Sequence, residues 1–411
     1  MALGRLGRRL STLPGLLTGW LWMNLSSLVR QPSRTRYFPG ISDRNSEISR
    51  SEFDYFPQLD GFRGLAAGLV VLGHLILFRA GSGAIASLGV MLFFVLSGFL
   101  ITGLLVNERA RYGRIDLRAF YLRRVLRLAP ALACFLLAVM ILIRLGLIVD
   151  VPRYELIACV LYFRNIVGRS TSLAHLWSLS LEEQFYGLWP LLIGWVKSVR
   201  RMLIYAAILT ALISIARMIA IESRHFDYNA GITYTRPWFR FDSILVGCCI
   251  ALARAQGDAW ARRLKSLAER LPAWLAWTAL FGWTLCGERI SMPWYLTLQM
   301  LLGGLVLMQL VFAPTPALSL LFCNRLMVHA GKISYGLYLW QQLFTANPAS
   351  HWGLLQRFPV NVIMPIAIAE LSYHFVEAKF LKLKSRRLAP SRHRNATMIE
   401  VKTSAREGTP R

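Results

Sequence analysis

An arginine and a histidine share one apolar stretch of the sequence and are well placed to carry chemistry. Arg63 and His74 lie in LDGFRGLAAGLVVLGHLIL, residues 59–77, and the ten residues between them include no charge and no proline. On a helix, His74 would lie about 16 Å beyond Arg63 along the axis. A histidine at that depth in a bilayer is costly. It indicates either a functional group in a polar pocket or a histidine hydrogen-bonded in a helix–helix seam.

Two further arginines could bind an anion where a helix enters the membrane. The segment AFYLRRVLRLAP, residues 119–130, places Arg124 and Arg127 three positions apart. On a helix they would share one face and could bind a single anion together, such as the phosphate of a coenzyme. The alternative is that the arginines anchor a cytoplasmic helix end, as the positive-inside rule expects.

A third polar group occurs in HLWSLSLEEQFYGLWP, residues 175–190. Glu182, Glu183 and Tyr186 fall within about one helical turn, and His175 lies about two turns earlier. Adjacent glutamates point about 100° apart, so one of them would face a pocket and the other water. A carboxylate inside the pocket could hydrogen-bond an imidazole and raise its basicity. An interfacial belt of aromatic residues with capping acids is the alternative.

Two weaker motifs and the cysteines complete the set. RFDSILVG, residues 240–247, contains Arg240 and Asp242; we interpret this pair as structural and keep Asp242 as a candidate substrate ligand. In KISYGLYLWQQ, residues 332–342, polar helix–helix contacts explain the pattern as well as a site does. The six cysteines form no C-x-x-C pair, which predicts buried small residues with no metal site and no disulfide.

The composition indicates the elements that must position these residues. The chain has 411 residues, of which 55% are hydrophobic and 17% charged, and apolar runs recur along its length. These values predict an all-α, polytopic integral membrane protein in the lipid bilayer. The net charge of +26 is concentrated in loops and tails. That distribution fits a cytoplasmic face and its anionic lipids, and we expect no nucleic-acid partner.

Hydropathy predicts about ten transmembrane helices. The predicted spans are about 63–79, 84–106, 128–149, 176–196, 202–221, 238–254, 272–288, 294–313, 333–348 and 358–380. With the N-terminus inside, the most basic loops fall in the cytoplasm, so both termini are predicted to be cytoplasmic. Residues 1–53 form a basic extension, 54–380 the transmembrane domain and 381–411 a basic tail. The extension could be an interfacial helix, a signal-like segment or a disordered tail.

Six motifs together carry a resemblance to a known family. LDGFRGLAAGLVVLGH, FFVLSGFLI, FYLRRVLRLAP, HLWSLSLEEQFYGLWP, RFDSILVGCCIAL and ISYGLYLWQQ follow one another between residues 57 and about 380. In this order they resemble the membrane acyltransferase-3 family, bacterial ten-helix O-acyltransferases that modify cell-surface and exported glycans. One position departs from the family pattern: Gln341 stands where the family often has the histidine of YLWH.

The resemblance implies a multi-pass protein of the cell inner membrane. Acyl-CoA, expected to be acetyl-CoA, would be a co-substrate bound from the cytoplasmic side, with no permanently bound cofactor. The acceptor would be a hydroxyl of a glycan, for example an exported polysaccharide, a lipopolysaccharide or a lipid-linked glycan. Only a short tail follows the last predicted span, so the family's optional esterase-like domain is expected to be absent. Separate glycan-assembly proteins would then be partners.

The resemblance also assigns roles residue by residue. Arg63 and His74 match the family's Arg-x10-His pair, Arg124 and Arg127 its donor-side arginines, and Glu182 or Glu183 its acidic motif. His74 would act as general base or carry the acyl group transiently, and Arg63 would neutralise developing charge. His175, Tyr186 and Asp242 are candidate substrate ligands. A transporter or flippase using the same histidine, arginines and glutamates is the rival from another class, although we find no inverted repeat in the sequence.

Overall fold

Helices account for the regular secondary structure of the computed structural model, which describes residues 56–75, 82–223, 233–345 and 353–388. The helices are α1 Pro57–Leu75, α2 Ser82–Tyr112, α3 Leu117–Arg144, α4 Arg153–Val160, α5 Arg164–Val167, α6 Leu176–Trp195, α7 Val199–Glu222, α8 Pro237–Arg254, α9 Asp258–Glu269, α10 Ala273–Leu285, α11 Met292–Phe312, α12 Pro316–Phe322, α13 Arg325–Phe344, α14 Val360–Ser372 and α15 Ala378–Leu388. The all-α class is confirmed. The predicted extension, residues 1–53, lies outside the described residues.

Four helices are long and apolar enough to cross a membrane, namely α2, α3, α7 and α11. They support the prediction of a membrane protein with helical spans. Each of the ten predicted spans overlaps at least one helix. Ten crossings and two cytoplasmic termini nevertheless stay predictions, because length and composition identify spans only in these four helices within the described ranges.

The arginine-rich segment before the third predicted span is helical and not a loop. The span was predicted to begin near residue 128, whereas α3 begins at Leu117, and only residues 113–116 separate it from α2. The Asp116 side chain caps the helix by accepting a hydrogen bond from the backbone N–H of Ala119 at 2.9 Å. Arginine is a good helix former, so the charged residues extend the apolar helix toward the membrane surface.

Five helices pack one against the next in a row. Helix α1 lies between α13 and α2, α2 packs on α8, and α8 packs on α7. Glycines permit the close approach of α2 and α8: a side chain on Gly98 would collide with the backbone of Ile244, and one on Gly247 with that of Val95. Small residues at such crossings are typical of helix packing in membranes. The row fixes α1 and α2 side by side.

The long connection between α3 and α6 is ordered by two carboxylates. Asp150 accepts hydrogen bonds from the backbone and hydroxyl of Thr171 at 2.7 and 2.8 Å, and from those of Ser172 at 3.1 and 2.6 Å. Burial would raise the pKa of Asp150, but these donors outweigh it and hold the pKa below its ordinary value. Buried Glu155 pairs with Arg164 at 3.2 Å. These contacts fix the start of α6.

The prediction that the cysteines are buried is only partly correct. All six are free thiols; Cys159 and Cys248 are buried, and Cys249 is half-buried. The other three, Cys134, Cys286 and Cys323, are exposed on the protein surface. A small, weakly polar side chain is compatible with a lipid-facing or surface position. An apolar run therefore does not by itself indicate burial inside a membrane protein.

Candidate active site

A cavity of about 320 Å³ opens between α1, α2, α3, α6 and α13. Its walls are largely apolar, and its charged lining consists of four arginines and one glutamate. Five of the predicted site residues line it: Arg63, Arg124, Arg127, Glu182 and Tyr186. The cavity thus brings together residues that are up to 123 positions apart, from 63 to 186, in the sequence. Positive charge exceeds negative charge on its surface, which favours an anionic ligand.

Arg124 lies over an aromatic ring of the opposite wall. Its guanidinium carbon is 4.2 Å from the centroid of the Tyr186 ring and 5.9 Å from that of Phe120. The Tyr186 hydroxyl donates a hydrogen bond to Glu182 at 3.2 Å and also bonds to the hydroxyl of Ser97. This cation–π contact and the hydroxyl network connect α2, α3 and α6 across the cavity.

Arg63 enters the cavity from the first turns of α1. Its guanidinium lies 3.5 Å from the carboxylate of Asp60, one turn earlier. Arg63 is also near enough to Arg124 and Glu182 for their charges to interact. Arginines from α1 and α3, which belong to two separate sequence motifs, therefore converge on one region.

Glu377 is a buried acid near Arg127 that the sequence analysis missed. It is 6% exposed, and its charge interacts with that of Arg127. It ends a π-helical turn, Tyr373–Glu377, between α14 and α15, and accepts a hydrogen bond from Ser372 at 3.3 Å. π-Helical turns occur often at functional sites. The signal in the sequence was one acid in FVEAKF at the end of an apolar stretch.

His74 does not line the cavity. Its half-buried ring interacts with the side chain of Gln341, and its Nδ1 atom is buried with no hydrogen-bond partner in the described part of the chain. His175 is 2% exposed and close enough to His74 for their charges to interact. Its ring centroid lies 5.6 Å from that of Phe135. Neither ring nitrogen of His175 has a partner among the residues described. We call His74, His175 and Gln341 the imidazole cluster.

A thin layer of side chains separates the imidazole cluster from the cavity. Tyr338 and Ser178 line the cavity, and their hydroxyls bond to each other. The Tyr338 hydroxyl also donates to the backbone oxygen of His175 at 2.5 Å. Glu182 accepts a hydrogen bond from Tyr186. The predicted hydrogen bond from His74 or His175 to Glu182 or Glu183 is not found among the described residues.

Glu183 and Asp242 lie away from the cavity lining. Glu183 interacts electrostatically with Arg124, and its Oε1 atom is buried without a partner among the described groups. The divergence of Glu182 and Glu183 agrees with the expected angle between adjacent helical positions. Asp242 pairs with Arg217 on α7 at 2.6 Å, and both side chains are fully buried. The sequence offered Arg240 as the partner of Asp242, and the structure corrects that pairing to Arg217.

The chain is a helical membrane protein with a basic cavity close to the half-buried His74 and the buried His175. The chain belongs to the family described as Acyltransferase domain, whose sequence profile matches residues 56–369. The resemblance drawn from the six motifs is therefore confirmed. No solved structure matches the chain significantly.

Two bacterial relatives are similar to most of this chain. The candidate peptidoglycan O-acetyltransferase YrhL of Bacillus subtilis (strain 168) is 30% identical over 359 residues, which are 79% of this chain and 54% of YrhL. The O-acetyltransferase OatA of Staphylococcus aureus (strain NCTC 8325 / PS 47) is 28% identical over 356 residues, 80% of this chain and 57% of OatA. The chain spans about half the length of these curated relatives.

Proposed function

We propose that the chain is an O-acyltransferase of the cytoplasmic membrane. It moves an acyl group, expected to be acetyl, from acyl-CoA to a hydroxyl of a cell-envelope or exported glycan. The observation that carries the proposal is the basic cavity on one side of Tyr338 and the imidazole cluster on the other. Membership of the acyltransferase family and similarity to proteins named as O-acetyltransferases support the reaction type.

The arginines of the cavity are suited to the donor. Arg124 and Arg127 project from one face of α3, and Arg63 adds a third guanidinium from α1. Guanidinium groups bind phosphate oxygens through paired, charge-assisted hydrogen bonds. The apolar walls would contact the uncharged arm of the coenzyme. With the coenzyme bound in this way, its phosphates would lie at the arginines and its thioester deeper in the protein.

His74 is the proposed general base. It removes the proton of the acceptor hydroxyl as the oxygen attacks the thioester carbonyl carbon. The carbon–oxygen bond forms, the carbon–sulfur bond breaks, and the proton passes from the imidazole to the departing sulfur. Arg63 stabilises negative charge on the donor side. Because Tyr338 and Ser178 stand between the cavity and the imidazole cluster, the reaction requires this layer to move when the donor binds.

Acyl transfer by the purified full chain tests the proposal. The protein in detergent is given acetyl-CoA and a sugar acceptor; free coenzyme A is measured by thiol titration and acylated sugar by mass spectrometry. We expect His74→Ala to lower transfer by about 10²–10⁴-fold, the usual contribution of a positioned base. His329→Ala is the matched control, since His329 is 44% exposed and pairs with Glu370.

Two results would contradict the proposal. Full transfer by His74→Ala would remove the assigned base. No thioester cleavage by the wild-type chain with any acceptor would favour the transporter or flippase, which performs no chemistry on acetyl-CoA. A transporter would instead move its substrate across vesicles made with the same protein.

A further inference from the structure

Arg240, on the first turn of α8, is buried and lies outside the cavity lining. It is 0% exposed, and its guanidinium carbon lies 4.5 Å from the Tyr234 ring centroid, 5.8 Å from that of Phe94 and 5.9 Å from that of Trp177. Its Nη2 atom donates to the Tyr234 hydroxyl at 3.5 Å. Its Nε and Nη1 atoms have no hydrogen-bond partner in the described ranges. We call the three rings the aromatic cage.

The neighbouring carboxylate is already occupied by another arginine. Arg217 donates to Asp242 at 2.6 Å, to the backbone oxygen of Phe239 at 2.6 Å and to Thr297 at 2.7 Å. Asp242 therefore neutralises Arg217 and forms no ion pair with Arg240 in the described structure. The aromatic cage offers Arg240 cation–π attraction but leaves two of its N–H-bearing nitrogens without acceptors. An anionic oxygen group would supply both charge and acceptors.

The aromatic cage adjoins the proposed reaction centre. Phe94 and Trp177 contact Arg240, while their chain neighbours Phe93 and Ser178 contact Tyr338. Tyr338 in turn bonds to the backbone of His175. Arg240 and the imidazole cluster are thus connected through the same pair of helices, α2 and α6. Trp177 and Tyr234 are only half-buried, so two of the three rings are partly accessible, whereas Arg240 itself is not.

We propose that Arg240 binds an anionic oxygen group, a carboxylate or a phosphate, of the acceptor glycan. The inference rests on the proposed function and adds a feature of the acceptor to it. The position of Arg240 near the N-terminus of α8 reinforces the preference, because the helix dipole also favours negative charge there. The donor arginines and Arg240 would then hold the two substrates on opposite sides of Phe94.

Binding of three related sugars to the full chain in lipid nanodiscs tests the inference. The probes are N-acetylglucosamine, which is neutral, N-acetylglucosamine 1-phosphate and N-acetylmuramic acid, which carries a carboxylate. We expect the wild-type chain to bind at least one anionic probe about tenfold more tightly than the neutral one, a typical effect of one charge-assisted contact. The anionic probe that binds more tightly identifies the group as phosphate or carboxylate.

Substitutions test whether Arg240 causes the preference for anionic over neutral sugars. Arg240→Gln should remove the tenfold preference and leave binding of the neutral sugar unchanged, and Arg240→Lys should keep part of it. Arg236→Gln is the matched control: Arg236 lies four residues earlier, over the Trp238 ring at 5.7 Å. If Arg240→Gln fails to fold, fluorescence provides a second test. Anionic probes should change the emission of the wild-type chain, and Trp177→Phe should abolish that change.

The outcomes separate this inference from the proposed function. Equal affinity of the wild-type chain for all three sugars, or a preference that survives Arg240→Gln, overturns the role of Arg240. Acetyl transfer is measured in the same preparations. Transfer without an anionic preference leaves the enzyme assignment standing and refutes the inference. An anionic preference lost in Arg240→Gln, without transfer to any acceptor, supports the anion site and refutes the proposed reaction.

Discussion

The arginines in two regions of the protein differ in whether a carboxylate neutralises them. Between α7, α8 and α11, Arg217 is bonded to Asp242, to a backbone oxygen and to Thr297, all at 2.6–2.7 Å. In the cavity, Arg124 and Arg127 form no ion pair with any described carboxylate, and Arg124 lies over the ring of Tyr186. In the first region, a carboxylate of the protein neutralises the charge of the arginine. In the second region, the guanidinium groups have no carboxylate partner in the described part of the chain and can bind an anionic ligand.

This difference separates structural charge from charge suited to a ligand. A buried ion pair fixes the positions of two helices, and removing one member leaves the other uncompensated. An arginine without a carboxylate keeps its donors for an anion and contributes less to folding. Arg240 is buried like Arg217 and, like Arg124 and Arg127, has no carboxylate partner among the described residues.

The largest effect, on stability, is expected from breaking the ion pair between Arg217 and Asp242. Arg217→Met leaves the carboxylate of Asp242 buried and unpaired, which should cost about 3–5 kcal/mol of stability. Thermal unfolding in detergent, followed by fluorescence, should show a marked fall in melting temperature. Arg217→Met combined with Asp242→Leu is the control and should recover most of the loss. A single variant as stable as the wild type would mean that Arg217 is not structural.

The arginines without a carboxylate partner should affect binding more than stability. Arg124→Ala with Arg127→Ala removes two guanidinium groups, each worth about 1.5–3 kcal/mol when bonded to an anion. We therefore expect the KM for acetyl-CoA to rise at least about tenfold, with only a small fall in melting temperature from the lost contact between Arg124 and Tyr186. Arg118→Ala is the control, because Arg118 is exposed on the same helix. An unchanged KM would leave both arginines as topology signals only.

The sequence predicted the cavity better than it predicted the charge pairs. Spacing on one helix was enough to bring Arg124 and Arg127 together, and apolar periodicity located the helices. The partner of Asp242 could not be found this way, because Arg217 lies 25 residues earlier on another helix. The π-helical turn that directs Glu377 inward likewise depends on tertiary packing. The convergence of Arg63 on α1 with Arg124 and Arg127 on α3 also depends on tertiary packing, which local patterns leave open.

Glu377 belongs neither with the paired charges nor with the unpaired ones. Its substitution should change the KM for acetyl-CoA less than the loss of Arg124 and Arg127 does. Its carboxylate interacts with Arg127 without forming an ion pair, so it lowers the positive potential of the cavity more than it holds the side chain. A partner beyond ion-pair distance contributes no more than about 1–2 kcal/mol. Glu377→Gln should therefore lower the KM for acetyl-CoA by about threefold, with the catalytic rate unchanged.

Glu370→Gln provides the comparison for Glu377, since Glu370 lies on α14 and pairs with exposed His329. We expect no change in the KM for acetyl-CoA from this variant. A higher KM in Glu377→Gln would reverse the interpretation, because it would mean that the carboxylate positions Arg127 and that Arg127 belongs with the satisfied arginines.

The smallest effect is expected at Asp150, a satisfied charge outside the membrane-spanning helices. Its pKa is held below its ordinary value by Thr171 and Ser172 against the opposing effect of burial, so the charged form stabilises the fold. This stability is present above the unfolded pKa of about 3.9 and is lost as the pH falls through the lower folded pKa. Asp150→Asn should lower the melting temperature at pH 7 by a few degrees.

The pH dependence decides whether the charge of Asp150 causes this effect. The difference between wild type and Asp150→Asn should shrink steadily as the pH falls below about 3.9, because the wild-type carboxylate then becomes protonated. Glu269→Gln should show no such trend, because Glu269 is exposed and its ion pair with Lys265, at 3.8 Å, is also exposed and therefore weak. A difference of equal size at low pH would assign the effect to hydrogen-bond geometry. A changed KM for acetyl-CoA in Asp150→Asn would contradict the distinction between structural charges and ligand-binding charges. It would mean that a charge already hydrogen-bonded within the protein also affects binding of the donor.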